Sequence, residues 1–310
     1  MKPFLSLVIP ARNEEENVLL LYNEIVEVTN KLKKTWELMF IDDGSTDNTF
    51  NILKKLHSKD SRVKVLRLRG WFGKAIALKA GFENATGEII FTLDADLQDN
   101  PKEIPNFLKK FEEGYDLVIG WKKKRHDPAD RVISSRLFNF AVSVMTQTKF
   151  HDINCGFKAY KRVVVENVEF GELFRFIPIL AAKQNYKVAE IVVEHRPRKF
   201  GESKFGLERA VKGFLDLITI VFLTGYLRKP GQFFGMIGLV MGFGGVLIGA
   251  YITYLRITTG GIEYRYPLLF LGVLLMIVGV QFISTGLTSE MMISLSGREK
   301  STKALISEKL

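Results

Sequence analysis

The sequence predicts an α/β protein with a mostly parallel sheet, followed by two membrane-spanning helices. Three observations support this fold class. Short apolar segments alternate with amphipathic ones over residues 1–205, two long uncharged runs follow, and short polar motifs stand where apolar segments end. Strands separated by helices favour parallel pairing, because each connection must cross back over the sheet.

Five short apolar segments are predicted to be strands. They are Phe4–Pro10, Leu38–Ile41, Val63–Leu68, Glu88–Leu93 and Asp116–Gly120. Helical spacing of apolar residues predicts the helices between them: Glu15–Lys33, one from about Asp47, Lys74–Asn84, and one opened by Pro101. Ligands of such sheets bind at the carboxyl ends of the strands. The motifs ARNEEEN, DDGS and DADLQ are therefore expected to meet in one cleft.

Two uncharged runs predict a transmembrane hairpin. Residues 231–255 and 266–289 carry no charged side chain. As a helix, such a run reaches about 38 Å, enough to cross a hydrocarbon layer of about 30 Å. The short connection puts both ends on one side, and basic residues concentrate there, which predicts a cytoplasmic N-terminal domain and tail. We therefore expect an integral protein of the cell inner membrane or its endoplasmic-reticulum equivalent.

The boundaries follow from these patterns. Residues 1–205 form the predicted soluble domain and 206–230 an amphipathic juxtamembrane helix, the alternative being one more helix of the soluble domain. A tail covers residues 290–310. Glycines recur at three- and four-residue steps in the first span, where small residues let helices approach closely. They are consistent either with self-association of the chain or with the usual abundance of small residues in membrane spans. These glycines are Gly235, Gly238, Gly242, Gly245 and Gly249.

Charge and cysteine usage restrict the classes of function. Lysine and arginine total 44 against 34 acids, a net charge of +10. This excess suits anionic lipid headgroups, and because no nucleic-acid recognition motif accompanies it, a nucleic-acid partner is not expected. The single cysteine, Cys155, excludes an internal disulfide framework. The histidines have no spacing that suggests a zinc site.

A pair of acids at the end of a predicted strand indicates a metal ion. Asp94 and Asp96 flank one residue, so in an extended segment both carboxylates point the same way. Their oxygens suit Mg²⁺ or Mn²⁺, which commonly join a carboxylate to a diphosphate. Lys74 opens a predicted helix and is a candidate phosphate contact, and Trp71 is a candidate lining residue of the cleft.

Five stretches together resemble the family 2 glycosyltransferases and, within them, the polyprenyl-phosphate sugar transferases. They are VIPARNEEENV, FIDDGSTDNT, GKAIALKAGF, TLDADLQDNPKEIP and RKFGESK, in the family's order from residue 5 to about 205. The resemblance implies a Rossmann-like A-type glycosyltransferase fold and an inverting reaction. It also implies a divalent metal, a UDP- or GDP-sugar donor, and an undecaprenyl or dolichyl phosphate acceptor.

The resemblance further implies roles for individual residues. The nucleoside positions are matched by Pro10, Arg12, Glu14 and Asp43, and the metal and diphosphate positions by Asp94, Asp96 and Gln98; Ala95 completes the expected nucleotide-sugar site. The positions that hold phosphates are matched by Lys122, Arg131, Ser135 and Arg198, and Lys204 joins them through its basic cluster. The expected catalytic set is Asp94, Asp96, Arg131 and Arg198.

The predicted reaction transfers a sugar to the phosphate of a polyprenyl lipid at the cytoplasmic membrane face. A phosphomonoester with a second pKa of about 6 is already a nucleophilic anion, so the protein's task is positioning and charge neutralisation. One alternative is a processive polysaccharide synthase, but the sequence has no Q-x-x-R-W motif and only one predicted hairpin. Another is a non-catalytic scaffold or accessory subunit of lipid-linked sugar translocation, which has no need for the paired aspartates.

Overall fold

The chain forms two compact units, residues 1–220 and 221–310, which are described separately. The computed structural model describes residues 2–123, 143, 150–168, 171, 173–197, 219, 230–262 and 264–295. Nearly all of the predicted juxtamembrane helix, residues 206–230, and most of the predicted tail lie outside these ranges. The domain boundaries given above therefore stay predictions.

The first unit alternates strands and helices, as the apolar pattern predicts. Its described strands are β1 Leu5–Ala11, β2 Trp36–Asp42, β3 Val63–Arg67, β4 Ile89–Thr92, β5 Leu117–Trp121, β6 Lys158–Lys161 and β7 Val188–Val192. Its described helices are α1 Val18–Lys31, α2 Thr49–Lys59, α3 Lys74–Asn84, α4 Ile104–Glu112, α5 Arg162–Asn167 and α6 Ile177–Lys183. Short 3₁₀ turns, Pro101–Glu103 and Phe174–Phe176, precede α4 and α6.

The described strands form one sheet in the order β3-β2-β1-β4-β6-β5-β7. β1 pairs in parallel with β2 and β4, and β2 pairs in parallel with β3. β1 and β2 are buried almost throughout because helices cover both faces of the sheet centre. The carboxyl ends of β1, β2 and β4 therefore lie side by side, which brings the three polar motifs to one edge.

One strand departs from the parallel arrangement that the alternation predicts. β6 lies between β4 and β5 and is antiparallel to both, whereas β5 and β7 are parallel. The strand predicted at Asp116–Gly120 is present as β5, but it is not the neighbour of β4. The four-residue β6 begins and ends on lysine, so no apolar run marks it. The mostly parallel sheet is confirmed.

Helix packing follows the apolar spacing of the sequence. α1 buries Val18, Leu21, Ile25 and Val28 along one face, and burying each such side chain contributes about 1.5–3 kcal/mol. The ring of Phe107, from α4, packs against that of Phe157 with their centroids 4.4 Å apart. These layers fix the sheet, and so fix the loops at its carboxyl edge.

The second unit contains two long apolar helices, α7 Pro230–Thr259 and α8 Tyr266–Leu295. Residues Pro230–Thr259 and Tyr266–Met292 are long and apolar enough to span a membrane, with mean hydropathies of 2.0 and 2.3. Large apolar side chains such as Met236, Leu239 and Phe243 are exposed. Exposed apolar surface on this scale is typical of lipid contact.

Glycines seven residues apart line the contact between α7 and α8. A Cβ on Gly238 would lie 2.5 Å from the carbonyl oxygen of Gly279, and one on Gly245 would lie 2.6 Å from that of Gly272. The side-chain positions of Gly235 and Gly249, in contrast, have nothing within 4 Å. Gly238 and Gly245 thus allow close contact between the two helices of one chain, and self-association stays a prediction.

Candidate functional site

The loops that follow β1 and β2 are joined by hydrogen bonds. The backbone N–H of Asn13 donates to Ser45 Oγ (3.0 Å), and that of Thr46 donates to Asn13 Oδ1 (2.8 Å). The N–H of Glu14 donates to Thr49 Oγ1 (2.8 Å). The ARNEEEN and DDGSTDNT motifs therefore form one continuous surface at the end of the sheet, with Glu14 in it.

Asp43 fixes a second loop, residues 68–73, hereafter the Trp71 loop. Its two carboxylate oxygens accept the N–H groups of Phe72 (2.8 Å) and Gly73 (2.9 Å). Gly44 has a φ of +68°, and a Cβ there would lie 2.5 Å from the carbonyl carbon of Gly70. The DDGS motif thus needs glycine because the Trp71 loop lies against it.

Arg12 and Trp71 stack beside this anchor. The guanidinium carbon of Arg12 lies 4.1 Å from the ring centroid of Trp71, within cation–π range. The indole is 69% exposed, so it presents a flat aromatic surface to solvent. Pro10, near the end of β1, is the register partner of Ile41 in β2. An aromatic plane at this edge can stack on a planar ligand.

Lys74 and Asp94 connect the Trp71 loop to the loop after β4, residues 93–99, hereafter the D-A-D loop. Lys74 is the first residue of α3, and its ammonium forms an ion pair with Asp94 Oδ1. Burial alone would raise the pKa of Asp94, but the ammonium groups of Lys74, Lys122 and Lys158 hold that pKa below its ordinary value. The carboxylate is therefore ionised and surrounded by cations.

The rest of the D-A-D loop turns back on itself. Leu97 adopts a φ of +61°, and the N–H of Gln98 donates to Asp96 Oδ1 (3.2 Å). Asp96 is 9% exposed and Ala95 is buried. Across the described ranges, no group of three or more His, Cys, Asp or Glu side chains is arranged to hold a metal ion.

The donor set of this loop nevertheless fits a hard cation. Mg²⁺ is usually bound through one or two carboxylates, with phosphates of the substrate and water completing its shell. Asp94, Asp96 and Gln98 offer two carboxylates and an amide oxygen within five residues. A divalent ion bound here would take its remaining ligands from a diphosphate and from water.

Lys122 and Asp99 form a buried ion pair next to this loop. Lys122 Nζ lies 2.9 Å from Asp99 Oδ1, and the side chains are 12% and 1% exposed. Although burial opposes its charge, Asp99 and the neighbouring acidic groups raise the pKa of Lys122 above its ordinary value. The N–H of Lys122 also donates to Asp152 Oδ2 (3.4 Å). The structure thus shows Lys122 paired with the D-A-D loop, and the phosphate contact implied by the resemblance stays a prediction.

Sequence reasoning missed two residues that border Asp94. A Cβ on Gly156 would lie 2.5 Å from Asp94 Oδ2, so the carboxylate occupies the space of a missing side chain. Lys158, on β6, is 4% exposed, and burial lowers its pKa to about 8. A lysine inside the short segment GFKAY was the available signal, because a lysine among apolar residues is almost never fully buried unless it is paired.

Residues 193–197 bind the D-A-D loop from the other side. His195 and Asp99 form an isolated antiparallel bridge, and the N–H of Arg196 donates to the carbonyl oxygen of Gln98 (3.0 Å). The side chain of Arg196 pairs with Glu24 of α1 (2.8 Å). The segment that leads toward the RKFGESK motif therefore contacts the D-A-D loop.

The structure brings together only part of the predicted site. Arg12, Asp43, Lys74 and Asp94 are joined by the contacts above, and Lys122 by its pairing with Asp99. Four of the predicted phosphate-binding residues lie outside the described residues: Arg131, Ser135, Arg198 and Lys204.

The chain belongs to the family 2 glycosyltransferases. Residues 6–169 match glycosyl transferase family 2, which spans β1 to α5 and includes the Trp71 and D-A-D loops. The resemblance and the A-type glycosyltransferase fold that the motifs imply are confirmed, and the protein is a glycosyltransferase.

Its curated relatives align over nearly the whole chain. Dodecaprenyl-phosphate galacturonate synthase of Rhizobium johnstonii is 36% identical over 293 residues, which cover 93% of this chain and 87% of the relative. Undecaprenyl-phosphate 4-deoxy-4-formamido-L-arabinose transferase of Shewanella sediminis is 38% identical, covering 93% and 86%. The transferase of the same name from Salmonella choleraesuis is 33% identical, covering 92% and 86%.

Solved structures of similar fold belong to a glucosyl-3-phosphoglycerate synthase of Mycobacterium tuberculosis. Its complex with Mn²⁺, UDP-glucose and phosphoglyceric acid has a TM-score of 0.54 at 18% identity, covering 71% of this chain and 80% of that one. Its complex with Mg²⁺ and UDP has a TM-score of 0.53 at 20% identity, covering 70% and 79%. At this identity the likeness establishes the fold alone.

Proposed function

We propose that the protein transfers a sugar from a nucleoside-diphosphate sugar to the phosphate of a polyprenyl lipid, with inversion at the anomeric carbon. The observation that carries this proposal is the contact series from the Trp71 loop through Lys74 to Asp94. It joins an aromatic surface, a cation and an acidic loop along one edge of the sheet. A nucleoside diphosphate has the matching parts in the same order: a flat base, an anionic diphosphate and a site for a divalent ion.

The acceptor class follows from the relatives and from the membrane hairpin. The three relatives described above are named for dodecaprenyl or undecaprenyl phosphate. Two helices able to span a membrane support a lipid acceptor, because they hold the chain in the phase where polyprenyl phosphates reside. Undecaprenyl phosphate is the proposed acceptor for a bacterial chain and dolichyl phosphate for an archaeal one, and we propose that transfer occurs on the cytoplasmic side.

In the proposed reaction an oxygen of the acceptor phosphate attacks the anomeric carbon. The bond from that carbon to the donor's diphosphate breaks, and the nucleoside diphosphate leaves with the bonding electrons. The acceptor phosphate needs no general base because it is already ionised near pH 7. Lys122, Arg131, Ser135, Arg198 and Lys204 are the proposed contacts of this phosphate.

The donor side is assigned to the described loops. Pro10, Arg12, Glu14 and Asp43 support the nucleoside, with Trp71 as an added stacking surface. Lys74 neutralises part of the diphosphate charge. Asp94, Asp96 and Gln98 are the proposed ligands of Mg²⁺ or Mn²⁺, which when bound stabilises the charge that develops on the leaving diphosphate.

The test uses the purified full chain in detergent. Undecaprenyl phosphate and dolichyl phosphate are incubated with radiolabelled UDP- and GDP-sugars in the presence of Mg²⁺ or Mn²⁺, and label is counted in the organic phase. Wild-type protein is expected to label the lipid with one donor. Asp96→Asn is expected to lose a factor on the order of 100 or more.

Glu83→Gln is the matched control, because Glu83 is an exposed acid on α3 whose ion partner is Lys79. It should retain wild-type transfer. Failure of every donor to label either lipid, or undiminished transfer by Asp96→Asn, would refute the proposed function.

A further inference from the structure

Lys74 is paired with the carboxylate of Asp94, which the proposed function assigns to the metal ion. Its ammonium both hydrogen-bonds and ion-pairs with Asp94 Oδ1. The two side chains are 35% and 33% exposed, so the pair lies at the surface of the cleft. A divalent ion approaching Asp94 therefore meets a positive charge already in place.

The other cations near Asp94 cannot take over this role. Lys122 is held by Asp99 at 2.9 Å, and Lys158 is 4% exposed within β6. Among the described residues, Lys74 is the lysine that pairs directly with Asp94, and its long side chain extends from the start of a helix. Moving it requires side-chain rotation only.

A nucleoside diphosphate offers Lys74 a second anion. A diphosphate bound through a metal ion at Asp94 and Asp96 would lie close to the Lys74 ammonium, because Lys74 already contacts Asp94. The first turn of the 11-residue α3 also begins at Lys74, and its free N–H groups favour an anion at that end. Lys74 can therefore exchange a carboxylate for a phosphate with little movement.

We propose that Lys74 competes with the divalent ion for Asp94, and that the donor's diphosphate admits the ion by drawing Lys74 away. The inference rests on the proposed function, because it assumes that the ion and diphosphate bind at the D-A-D loop. Metal and nucleotide each promote the binding of the other, by the same factor in both directions. Without nucleotide the metal binds weakly, so the loop is not loaded with metal before a donor arrives.

The test measures Mn²⁺ binding to the full chain in detergent at one fixed pH, from the electron paramagnetic resonance signal of free Mn²⁺. Each protein is titrated alone, with UDP and with GDP. Without nucleotide, Lys74→Gln is expected to bind Mn²⁺ at least tenfold more tightly than wild type, because the competing charge is gone. With UDP or GDP, wild type should gain at least tenfold in Mn²⁺ affinity, and Lys74→Gln should gain clearly less.

Lys79→Gln is the matched control. Lys79 lies on the same helix, is exposed, and is 4.0 Å from Glu83 rather than near the D-A-D loop. It should bind Mn²⁺ as wild type does, with and without nucleotide. Lys74→Arg keeps the charge and should keep the weak Mn²⁺ affinity of the nucleotide-free protein, which separates charge competition from a packing effect.

Unchanged or weaker Mn²⁺ binding by nucleotide-free Lys74→Gln would overturn the inference, even if the protein forms the lipid-linked sugar. If Lys74→Gln does not fold, Lys74→Met gives the same comparison. Absence of Mn²⁺ binding by wild type with either nucleotide would also overturn it. A chain that binds Mn²⁺ as expected but labels no polyprenyl phosphate would refute the proposed acceptor and leave the Lys74 inference standing.

Discussion

The Lys122–Asp99 ion pair offers a direct test of how the D-A-D loop is held. In Lys122→Met the carboxylate of Asp99, 1% exposed, loses a partner at 2.9 Å. Breaking a buried pair by removing one partner costs about 3–5 kcal/mol. Because Lys122 is 12% exposed, water can replace part of the interaction, and we expect the lower value, about 3 kcal/mol.

Removing both charges should cost less than removing the lysine alone. Asp99→Asn together with Lys122→Met leaves no buried unpaired charge, so about 1–2 kcal/mol of the loss should remain. For a domain of this size, about 3 kcal/mol corresponds to a fall in Tm of roughly 6–12 °C. The double variant should therefore recover between about one third and two thirds of that fall.

Tryptophan fluorescence is a suitable assay for this comparison. The chain has three tryptophans, and Trp36, Trp71 and Trp121 all lie in the first unit, so a thermal melt followed at this signal reports on the glycosyltransferase domain. If the effects of Lys122→Met and Asp99→Asn add in the double variant within about 0.5 kcal/mol, or if Lys122→Met melts as wild type does, the ion pair does not stabilise the D-A-D loop.

Three further predictions concern other parts of the chain. Arg62 lowers the pKa of Asp60 to about 2. A carboxyl whose pKa is lower in the folded than in the unfolded protein stabilises the fold at pH values above its unfolded-state pKa, so Asp60→Asn should cost about 1 kcal/mol at pH 7 after solvent screening. The difference between Asp60→Asn and wild type in thermal melts should shrink from pH 4 toward pH 2. A gap that stays constant over that range would contradict it. Burial raises the pKa of Cys155 to about 12, so iodoacetamide at pH 8 should label native protein on the order of 1,000-fold more slowly than unfolded protein; equal rates would show an accessible thiol. Gly245→Val should lower the aggregation temperature in detergent, because a side chain there meets the facing helix, whereas Gly249→Val should not, and the reverse order would disprove the helix contact.

The sequence could predict the strands that carry the site because each is a short apolar segment ending in a polar motif. ARNEEEN, DDGS and DADLQ do follow β1, β2 and β4, and their meeting at one edge follows from parallel pairing. The paired acids Asp94 and Asp96 were recognisable for the same reason, since spacing within one loop is a local property.

The partners of those acids could not be predicted, because they depend on tertiary contacts. Lys74 reaches Asp94 from 20 positions earlier in the chain. Lys158 arrives on the antiparallel β6, which has no apolar run to mark it. Asp99 pairs with Lys122 across β4 and β5, two strands that are not neighbours in the sheet.

The role of Asp43 also needed the structure. The resemblance implies a nucleoside contact, and the DDGS motif alone gives no reason to expect more. In the fold, both of its carboxylate oxygens accept N–H groups of the Trp71 loop. Asp43 therefore positions Trp71 in addition to any contact it makes with a nucleoside, and the two roles are separable by a Trp71→Ala variant that keeps Asp43.

The most direct measurement is anomalous diffraction at the manganese edge from crystals of the full chain grown with UDP and Mn²⁺. We predict one strong peak within bonding distance of the Asp96 carboxylate and of a UDP phosphate oxygen, with the Lys74 ammonium on the phosphate rather than on Asp94. A manganese peak remote from Asp96, or UDP bound away from the Trp71 and D-A-D loops, would contradict it.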